Sequence, residues 1–166
     1  MRTADIRLRN VGFCSATCLR AIAGRHKISN MSQVRLSAHA KPWRATLGLQ
    51  ADDYEIDARL IEIAYGEWEG LTLREIETQN ASVLSARERD KWDFAPLGGE
   101  SYRELADRIG SWYKSLAADT VVAAHGGGVR ALMAILNIVS EEQATHAQIA
   151  QGIIYVFADG KMSRYA

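Results

Sequence analysis

The chain has 166 residues, of which 48% are hydrophobic and 24% are charged, a composition typical of one soluble globular domain. Its formal net charge of zero offers no general attraction to nucleic acid or acidic membranes, and no apolar run approaches the ~18 residues of a membrane span. The only cysteines, Cys14 and Cys18, exclude a dense disulfide framework and favour a cytoplasmic location.

The N-terminal part of the chain differs from the rest in charge and in pattern. Residues 1–47 carry nine basic side chains and one acidic side chain, whereas the remainder carries 11 basic and 19 acidic ones. The apolar residues of this basic part follow neither the period of a strand nor that of a helix. We therefore expect an atypical basic segment over residues 1–45 and a folded domain over 46–166. A targeting peptide, a poorly ordered segment and a foreign segment are all open interpretations of the first part.

From residue 46 onward the sequence marks the ends of its elements clearly. Thr72-Leu-Arg-Glu75 is a capping box that predicts the start of a short helix, and Ser82 is placed to cap a second helix that runs toward Trp92. Pro96-Leu-Gly-Gly99 predicts a break in the chain. Ser101-Tyr-Arg-Glu104 then predicts the start of another helix through a second capping box.

The remaining elements alternate between helix and strand. Behind the second capping box, apolar residues recur at helical spacing: Tyr102, Leu105, Ile109, Trp112 and Leu116. Thr120–Ala124 is typical of a buried strand, and 129–138 has helical spacing. Ile153–Ala158 and Lys161–Tyr165, joined by Asp159-Gly160, predict a hairpin. This order indicates an α/β domain whose helices flank a largely parallel sheet.

His125 stands between the predicted strand and a run of three glycines. The carboxyl end of a sheet strand is the usual place for a ligand in open α/β folds. Glycines allow close approach of a backbone, and the N–H groups at the start of the following helix favour an anion. A histidine that is merely hydrogen-bonded at a tight turn is the alternative interpretation from these residues alone.

Glu62 lies in an apolar run just ahead of Gly66-Glu-Trp-Glu-Gly70. A carboxylate flanked by Leu60, Ile61 and Ile63 is a candidate for partial burial and for general-acid chemistry. An ordinary surface charge is the alternative at this stage.

Three stretches together resemble a known family. They are "RLIEIAYGEWEG" (59–70), "LGGESYRELADRI" (97–109) and "VVAAHGGGVRALM" (121–133). In order and spacing they resemble the histidine phosphatase superfamily, the phosphoglycerate mutase-like proteins, over roughly residues 46–166. The resemblance implies a three-layer α/β fold with a largely parallel sheet, and a small phosphorylated substrate or phosphate-type anion as ligand. It implies neither a metal nor any other cofactor, and it leaves a homodimer open.

The resemblance also implies roles for individual residues. His125 resembles the histidine that binds the phosphoryl group, and Glu62 resembles the acid that protonates the leaving group. Gly126 would offer its backbone N–H to the phosphate. Ser101 matches the Gly-Glu-Ser motif, in which it caps a helix and helps to shape the pocket.

The N-terminal motif of the family is missing. Family members begin with a strand that runs into Arg-His-Gly, which supplies the nucleophilic histidine, and no such tripeptide occurs in this chain. The nearest match is Gly24-Arg25-His26-Lys27, which makes His26 a weak candidate nucleophile. An ungapped count places the second family arginine, found at a helix start in Ser-Pro-x-x-Arg, on Arg35. We therefore expect the fold to lack its first strand, through a truncated or degenerate N-terminus or an altered reading frame.

Two functions follow from these observations. The first is a phosphatase that hydrolyses a small phosphomonoester, with water favoured over a second substrate as the phosphoryl acceptor. The second is a catalytically inactive relative that binds a phosphate ligand, because the motif that carries the nucleophile is absent.

Overall fold

The protein is built from a sheet unit and a helical unit. The computed structural model describes residues 11–14, 33–36, 50 and 54–165, the first two segments as backbone. Of the described residues, the sheet unit comprises 11–14, 33–36, 50, 54–61, 112–125 and 150–165, and the helical unit comprises Glu62–Ser111 and Gly126–Ile149.

The described strands form one mixed sheet within the sheet unit. They are β1 (Val11–Cys14), β2 (Gln33–Leu36), β3 (Glu55–Ile56), β4 (Thr120–Ala123), β5 (Ile154–Ala158) and β6 (Lys161–Tyr165). Their order in the sheet is β3-β2-β4-β1-β5-β6. The first four strands of that order pair in parallel, and β5 pairs antiparallel with both β1 and β6. The predicted α/β class with a largely parallel sheet is confirmed.

The expectation that the first strand is missing is wrong. Strand β1 lies between β4 and β5, with Val11 opposite Thr120 on one side and Phe157 on the other. All four residues of β1 have partners on both sides, so the strand has no free edge of the kind that invites pairing with another chain. A run of four residues is too short to establish a period, which explains why sequence pattern alone did not predict it.

The C-terminal half of the sheet follows the sequence pattern closely. All four residues of β4 are buried, as expected for a central parallel strand. Strands β5 and β6 form the predicted hairpin, and Asp159 and Gly160 have φ values of 50° and 68° in its two-residue turn. Positive φ at both central residues is what a type I′ turn requires.

Most of the described helical residues lie in the helical unit. The described helices are α1 (Leu73–Arg89), α2 (Tyr102–Ser115), α3 (Gly126–Ile135) and α4 (Glu141–His146), with 3₁₀ turns at Ala58–Leu60 and Gly66–Trp68. Both predicted capping boxes, at Thr72 and at Ser101, have their reciprocal hydrogen bonds. The predicted apolar stripe of α2 and the turn that follows it is buried throughout. These elements are confirmed.

The second predicted helix cap lies two residues from where it was expected. Asn80, with φ of −157° and ψ of 78°, interrupts α1 in its middle. Its Oδ1 accepts a hydrogen bond of 3.2 Å from the Val83 N–H and one of 2.8 Å from the Ser82 hydroxyl. Asn80 is therefore the cap of the second half, and the assignment of this cap to Ser82 was wrong.

Helix α3 begins three residues earlier than predicted. It starts at Gly126 rather than at Val129 and ends at Ile135. Gly127 and Gly128 are buried inside its first turn. The low helix propensity of glycine points to a loop, and close packing around this turn overrides that preference.

Candidate functional site

His125 lies in the two-residue connection between β4, which ends at Ala123, and α3, which starts at Gly126. The imidazole thus stands at the carboxyl end of a buried strand, the position predicted for it. Gly126 is the first residue of α3, and the first N–H groups of a helix have no partner within the helix itself. His125 belongs to the sheet unit, whereas Gly126 belongs to the helical unit.

Glu62 is the first residue of the helical unit and is half-buried. Its neighbours Leu60 and Ile63 are buried, while Ile61 is 36% exposed. The carboxylate Oε1 accepts a hydrogen bond of 3.0 Å from the backbone N–H of Ile63. The predicted partial burial of Glu62 is therefore correct, and its own backbone helps to orient the carboxylate.

The Glu62 carboxylate packs against the first turn of α3. A Cβ atom added at Gly127 would overlap Oε1 of Glu62 and would lie 3.2 Å from Cδ2 of Leu105. The positive end of the helix dipole favours a negative charge at such a position. Sequence reasoning noted the three glycines but did not identify Gly127 as the residue that makes room for Glu62.

An ion pair between Arg108 of α2 and Glu100, which precedes that helix, holds the Glu62 backbone. Nη2 of Arg108 donates a hydrogen bond of 3.2 Å to the carbonyl oxygen of Glu62. The same guanidinium makes a bidentate pair with Glu100, at 2.6 Å from Nε to Oε1 and 2.8 Å from Nη2 to Oε2. Paired donors of this kind fix orientation as well as distance. The residues stand 46 and eight positions apart in the chain, so no local pattern points to their contact.

Gly66 and Gly99 allow the backbones of the first two motifs, 59–70 and 97–109, to approach closely. Gly66 has φ of 54°, and a Cβ atom there would overlap the backbone of residues 97–99. A Cβ atom at Gly99 would lie 2.7 Å from the carbonyl oxygen of Ala64. Backbone hydrogen bonds join the same segments, from Glu67 N to the Leu97 oxygen at 3.0 Å and from the residue 100 N–H to the Ala64 oxygen at 2.8 Å. This close backbone approach positions the segment that carries Glu62.

Ser101 is buried and caps α2. Its N–H and its hydroxyl both donate to Oε2 of Glu104, at 2.8 and 2.9 Å, and its Oγ accepts from the Glu104 N–H at 3.2 Å. The two hydrogen bonds that Oε2 accepts from Ser101, of which the one from the backbone N–H has the larger effect, hold the pKa of Glu104 below its ordinary value. The capping role predicted for Ser101 is confirmed, whereas a contact with substrate stays a prediction.

Tyr102 connects Glu62 to a cation that sequence reasoning did not select. Burial raises the pKa of the Tyr102 hydroxyl, Arg130 lowers it, and the nearby Tyr65 and Glu62 raise it further. Nη1 of Arg130 lies 3.5 Å from that hydroxyl, and its Nε donates a hydrogen bond of 3.0 Å to the carbonyl oxygen of Ala147. Arg130 is thus a candidate site residue on α3, and its only sign in the sequence is its place four residues after Gly126.

The other predicted residues are placed differently. Arg35 lies in β2, opposite Glu55 and Val122, and not at the start of a helix as the resemblance implied. An extended backbone that pairs on both sides explains this difference. His26 lies outside the described residues.

The described part of the chain contains neither a helix that could span a bilayer nor a group of side chains placed to hold a metal ion. Among residues 11–14, 33–36, 50 and 54–165, no helix is long and apolar enough to cross a bilayer. In the same ranges, no group of three or more His, Cys, Asp and Glu side chains is placed to hold a metal ion.

Comparison with known families identifies the chain. The model of the histidine phosphatase superfamily (branch 1) matches residues 2–161. The chain belongs to this superfamily. The family inferred from the three motifs is therefore confirmed, and the match reaches further toward the N-terminus than those motifs do.

One sequence relative of this histidine phosphatase family member is the phosphoglycerate mutase of Schizosaccharomyces pombe. It is 28% identical over 114 residues, which make up 64% of this chain and 54% of the relative. The chain spans about half the length of the curated relatives it matches.

Solved structures share the fold. The alpha-ribazole phosphatase from Shigella flexneri gives a TM-score of 0.73 at 17% identity, with 93% of each chain covered. A mycobacterial glucosyl-3-phosphoglycerate phosphatase in complex with inorganic phosphate gives 0.67 at 19% identity, with 89% of this chain and 88% of that chain covered. Likeness at these identities establishes the fold alone.

Proposed function

We propose that this histidine phosphatase family member binds a small phosphomonoester and hydrolyses it without a metal. The observation that carries the proposal is the packing of the Glu62 carboxylate against Gly127, in the first turn of the helix that follows His125. A phosphoryl group at the N–H groups of this turn would have its bridging oxygen near a carboxyl group. A protein with the same fold has been solved in complex with inorganic phosphate, which supports the proposal that this chain binds a phosphate-type anion.

Each residue has a part in the proposed reaction. His125 and the Gly126 N–H hold the phosphoryl oxygens, and Arg130 adds a positive charge on α3. As the bond from phosphorus to the ester oxygen breaks, Glu62 gives its proton to the departing alkoxide, and the phosphoryl group passes to an imidazole or directly to water. Such proton transfer typically contributes about 10²–10⁴-fold to a rate.

A second candidate function is phosphate binding without turnover. It is favoured by the absence of Arg-His-Gly from all 166 residues, since that tripeptide carries the nucleophile in the family. Binding of the anion needs only fixed cations and N–H donors, whereas covalent catalysis needs an imidazole in line with phosphorus.

Turnover and binding measured on the same protein separate the two functions. We expect a hydrolase to cleave both phenyl phosphate and 4-nitrophenyl phosphate in the presence of a chelator. Glu62→Gln should slow cleavage of phenyl phosphate more than that of the nitrophenyl ester, because the poorer leaving group depends more on the acid. Calorimetric binding of inorganic phosphate without cleavage of either ester would select the second function instead.

His125 is tested by binding alone. We expect His125→Ala to weaken binding of inorganic phosphate by about 1.5–3 kcal/mol, the contribution of a hydrogen bond to a charged group. His146→Ala is the matched control, because His146 is an exposed histidine at the end of α4. Equal affinities for the two variants would make His125 a structural residue only.

A further inference from the structure

An aromatic cavity lies in the helical unit close to the segment that carries Glu62. Its volume is about 480 Å³, within the range of sites for small molecules. Most of its wall is apolar or aromatic, from Tyr65, Trp68, Leu71, Leu73 and Ile76. We call it the Trp68 cavity. Leu73 is part of this wall and is 66% exposed, so an apolar side chain faces solvent at the rim of the cavity.

The aromatic walls of the Trp68 cavity are held in place by stacking. The Trp68 ring stacks on Phe94, with centroids 5.8 Å apart and planes inclined by 24°. The guanidinium of Arg87 lies 5.8 Å from the centroid of the Tyr65 ring. Rings fixed in this way present flat surfaces at little cost in side-chain entropy.

Each charged residue of the cavity wall has a partner, and the two cations share Glu88 just outside the wall. Nη1 of Arg87 lies 2.8 Å from Oε1 of Glu88, and Nζ of Lys91 lies 3.7 Å from Oε2 of the same carboxylate. Glu69 is the acidic residue of the cavity wall, and its Oε1 accepts a hydrogen bond of 3.2 Å from the Tyr65 N–H. A second anionic group on a ligand would have to compete with these pairs, whereas an apolar group would not.

Tyr65 joins the cavity to the proposed proton donor. It follows Glu62 by three residues, and both raise the pKa of the same Tyr102 hydroxyl. The close backbone contacts at Gly66 and Gly99 hold this segment, since a Cβ atom at Gly99 would lie 3.0 Å from the Tyr65 carbonyl carbon. A residue that protonates a leaving group must stand beside that group. Tyr65 is thus the residue of the cavity wall that stands nearest to Glu62 in the chain.

We propose that the Trp68 cavity receives the alcohol part of the phosphomonoester, and that this alcohol carries a flat apolar ring. The inference rests on the proposed function, because it places the ester oxygen at Glu62. It separates the ligand of this chain from a phosphoglycerate, whose carboxylate and hydroxyl groups gain nothing from aromatic walls with compensated charges.

Calorimetric titration of the full chain with three esters tests the proposal. We expect phenyl phosphate to bind about tenfold more tightly than methyl phosphate, because only the phenyl ring buries apolar surface in the cavity. 3-Phosphoglycerate should bind more weakly than phenyl phosphate. Equal affinities for the phenyl and methyl esters, or tightest binding of 3-phosphoglycerate, would overturn the proposal.

A pair of surface variants places the ring in the cavity. We expect Leu73→Gln to weaken binding of phenyl phosphate about fivefold and to leave methyl phosphate unchanged, since it removes apolar wall without removing charge. Leu97→Gln, at a leucine that is 73% exposed and lies outside the cavity lining, should change neither affinity. An equal loss for both esters in Leu73→Gln would contradict the assignment.

The outcomes also separate this proposal from the one on which it rests. Measurable and equal binding of phenyl and methyl phosphate defeats the Trp68 cavity alone, whereas no binding of methyl or inorganic phosphate defeats the proposed function as well. Thermal melting followed by circular dichroism reports whether Leu73→Gln folds. If that variant does not fold, the ratio of the two affinities in the wild-type chain decides.

Discussion

Gly127 leaves no space for a side chain beside the Glu62 carboxylate. Its added Cβ would overlap Oε1, whereas one at Gly126 would find its nearest atoms, Nη1 of Arg130 and Cβ of Ile149, at 3.6 Å. Ordinary van der Waals contact of this kind costs nothing, while overlap forces the carboxylate or the helix to move. Two adjacent glycines therefore differ sharply in what they tolerate.

This difference predicts opposite outcomes for two alanine variants. Gly127→Ala should displace the Glu62 carboxylate and press on Leu105, and we expect it to lower both phosphoester turnover and the free energy of unfolding, the latter by about 1 kcal/mol. Gly126→Ala should keep the wild-type function, because its backbone N–H remains and alanine favours the helix. Urea unfolding and phosphoester turnover assays measure the two effects. Indistinguishable variants would show that Gly127 has no special packing role.

At the level of the elements, helix α1 consists of two helices that meet at Asn80. The side chain of Asn80 accepts hydrogen bonds from the Val83 N–H and the Ser82 hydroxyl, so it caps the second half of the helix. We expect Asn80→Ala to lower the free energy of unfolding by about 1 kcal/mol, the usual value of an N-cap.

Ser82→Ala is the control for this cap. Its hydroxyl only donates to Asn80, so its loss should cost clearly less than the loss of Asn80. Chemical denaturation of both variants at the same pH gives the comparison. A larger cost for Ser82→Ala would restore the cap that sequence pattern favoured.

The capping box of α2 predicts a dependence on pH. The pKa of Glu104 is lowered from its ordinary value of 4.5 by hydrogen bonds from the backbone and the hydroxyl of Ser101. A carboxyl group with a lowered folded-state pKa stabilises the protein above its unfolded pKa, and that contribution is lost as the pH falls through the folded value. The wild-type chain should therefore lose stability in acid relative to Glu104→Gln, whose amide does not titrate.

Glutamine is a suitable replacement because Ser140 and Gln143 form the same capping box at α4. The difference in free energy of unfolding between the wild-type chain and Glu104→Gln should be largest near pH 7 and should shrink at pH 3. Other carboxylates titrate equally in both proteins and cancel in the difference. Parallel stability curves from pH 7 to pH 3 would refute a role for this charge.

At the level of the whole molecule, the family fold is present and the family nucleophile motif is not. Strand β1 occupies the sheet between β4 and β5, yet the residues that follow Cys14 are Ser15-Ala-Thr17 and not Arg-His-Gly. His125 resembles the histidine that holds the phosphoryl group, so it is not expected to attack it. His26 is followed by Lys27 where the family has glycine.

We therefore expect no acid-labile phosphohistidine after incubation of the chain with acetyl phosphate, and slow turnover at most. Proton donation by Glu62 contributes about 10²–10⁴-fold, too little to replace a missing nucleophile. Phosphopeptide mapping under neutral conditions measures the modification, with His146→Ala, at an exposed histidine, as control for His26→Ala. Fast hydrolysis that only His26→Ala abolishes would identify His26 as the nucleophile. Hydrolysis that survives it but is lost in Glu62→Gln would indicate direct attack by water.

The features that sequence alone determined are those set by neighbouring residues. The capping boxes of α1 and α2, the apolar stripe of α2 and the Asp159-Gly160 turn depend on residues within about one helical turn or one hairpin. Three motifs of this local kind were enough for the family and for the candidates Glu62 and His125.

Other features depend on residues that only folding brings together. The Arg108 contact to Glu62 spans 46 positions, the Gly66 backbone meets Gly99, and Gly127 makes room for Glu62. The central place of β1 depends on pairing with strands more than 100 residues away. None of these contacts leaves a period or a spacing in the chain, because each is selected by packing and hydrogen bonding between distant segments. The tertiary structure therefore decided which groups surround the Glu62 carboxylate and where the first strand lies.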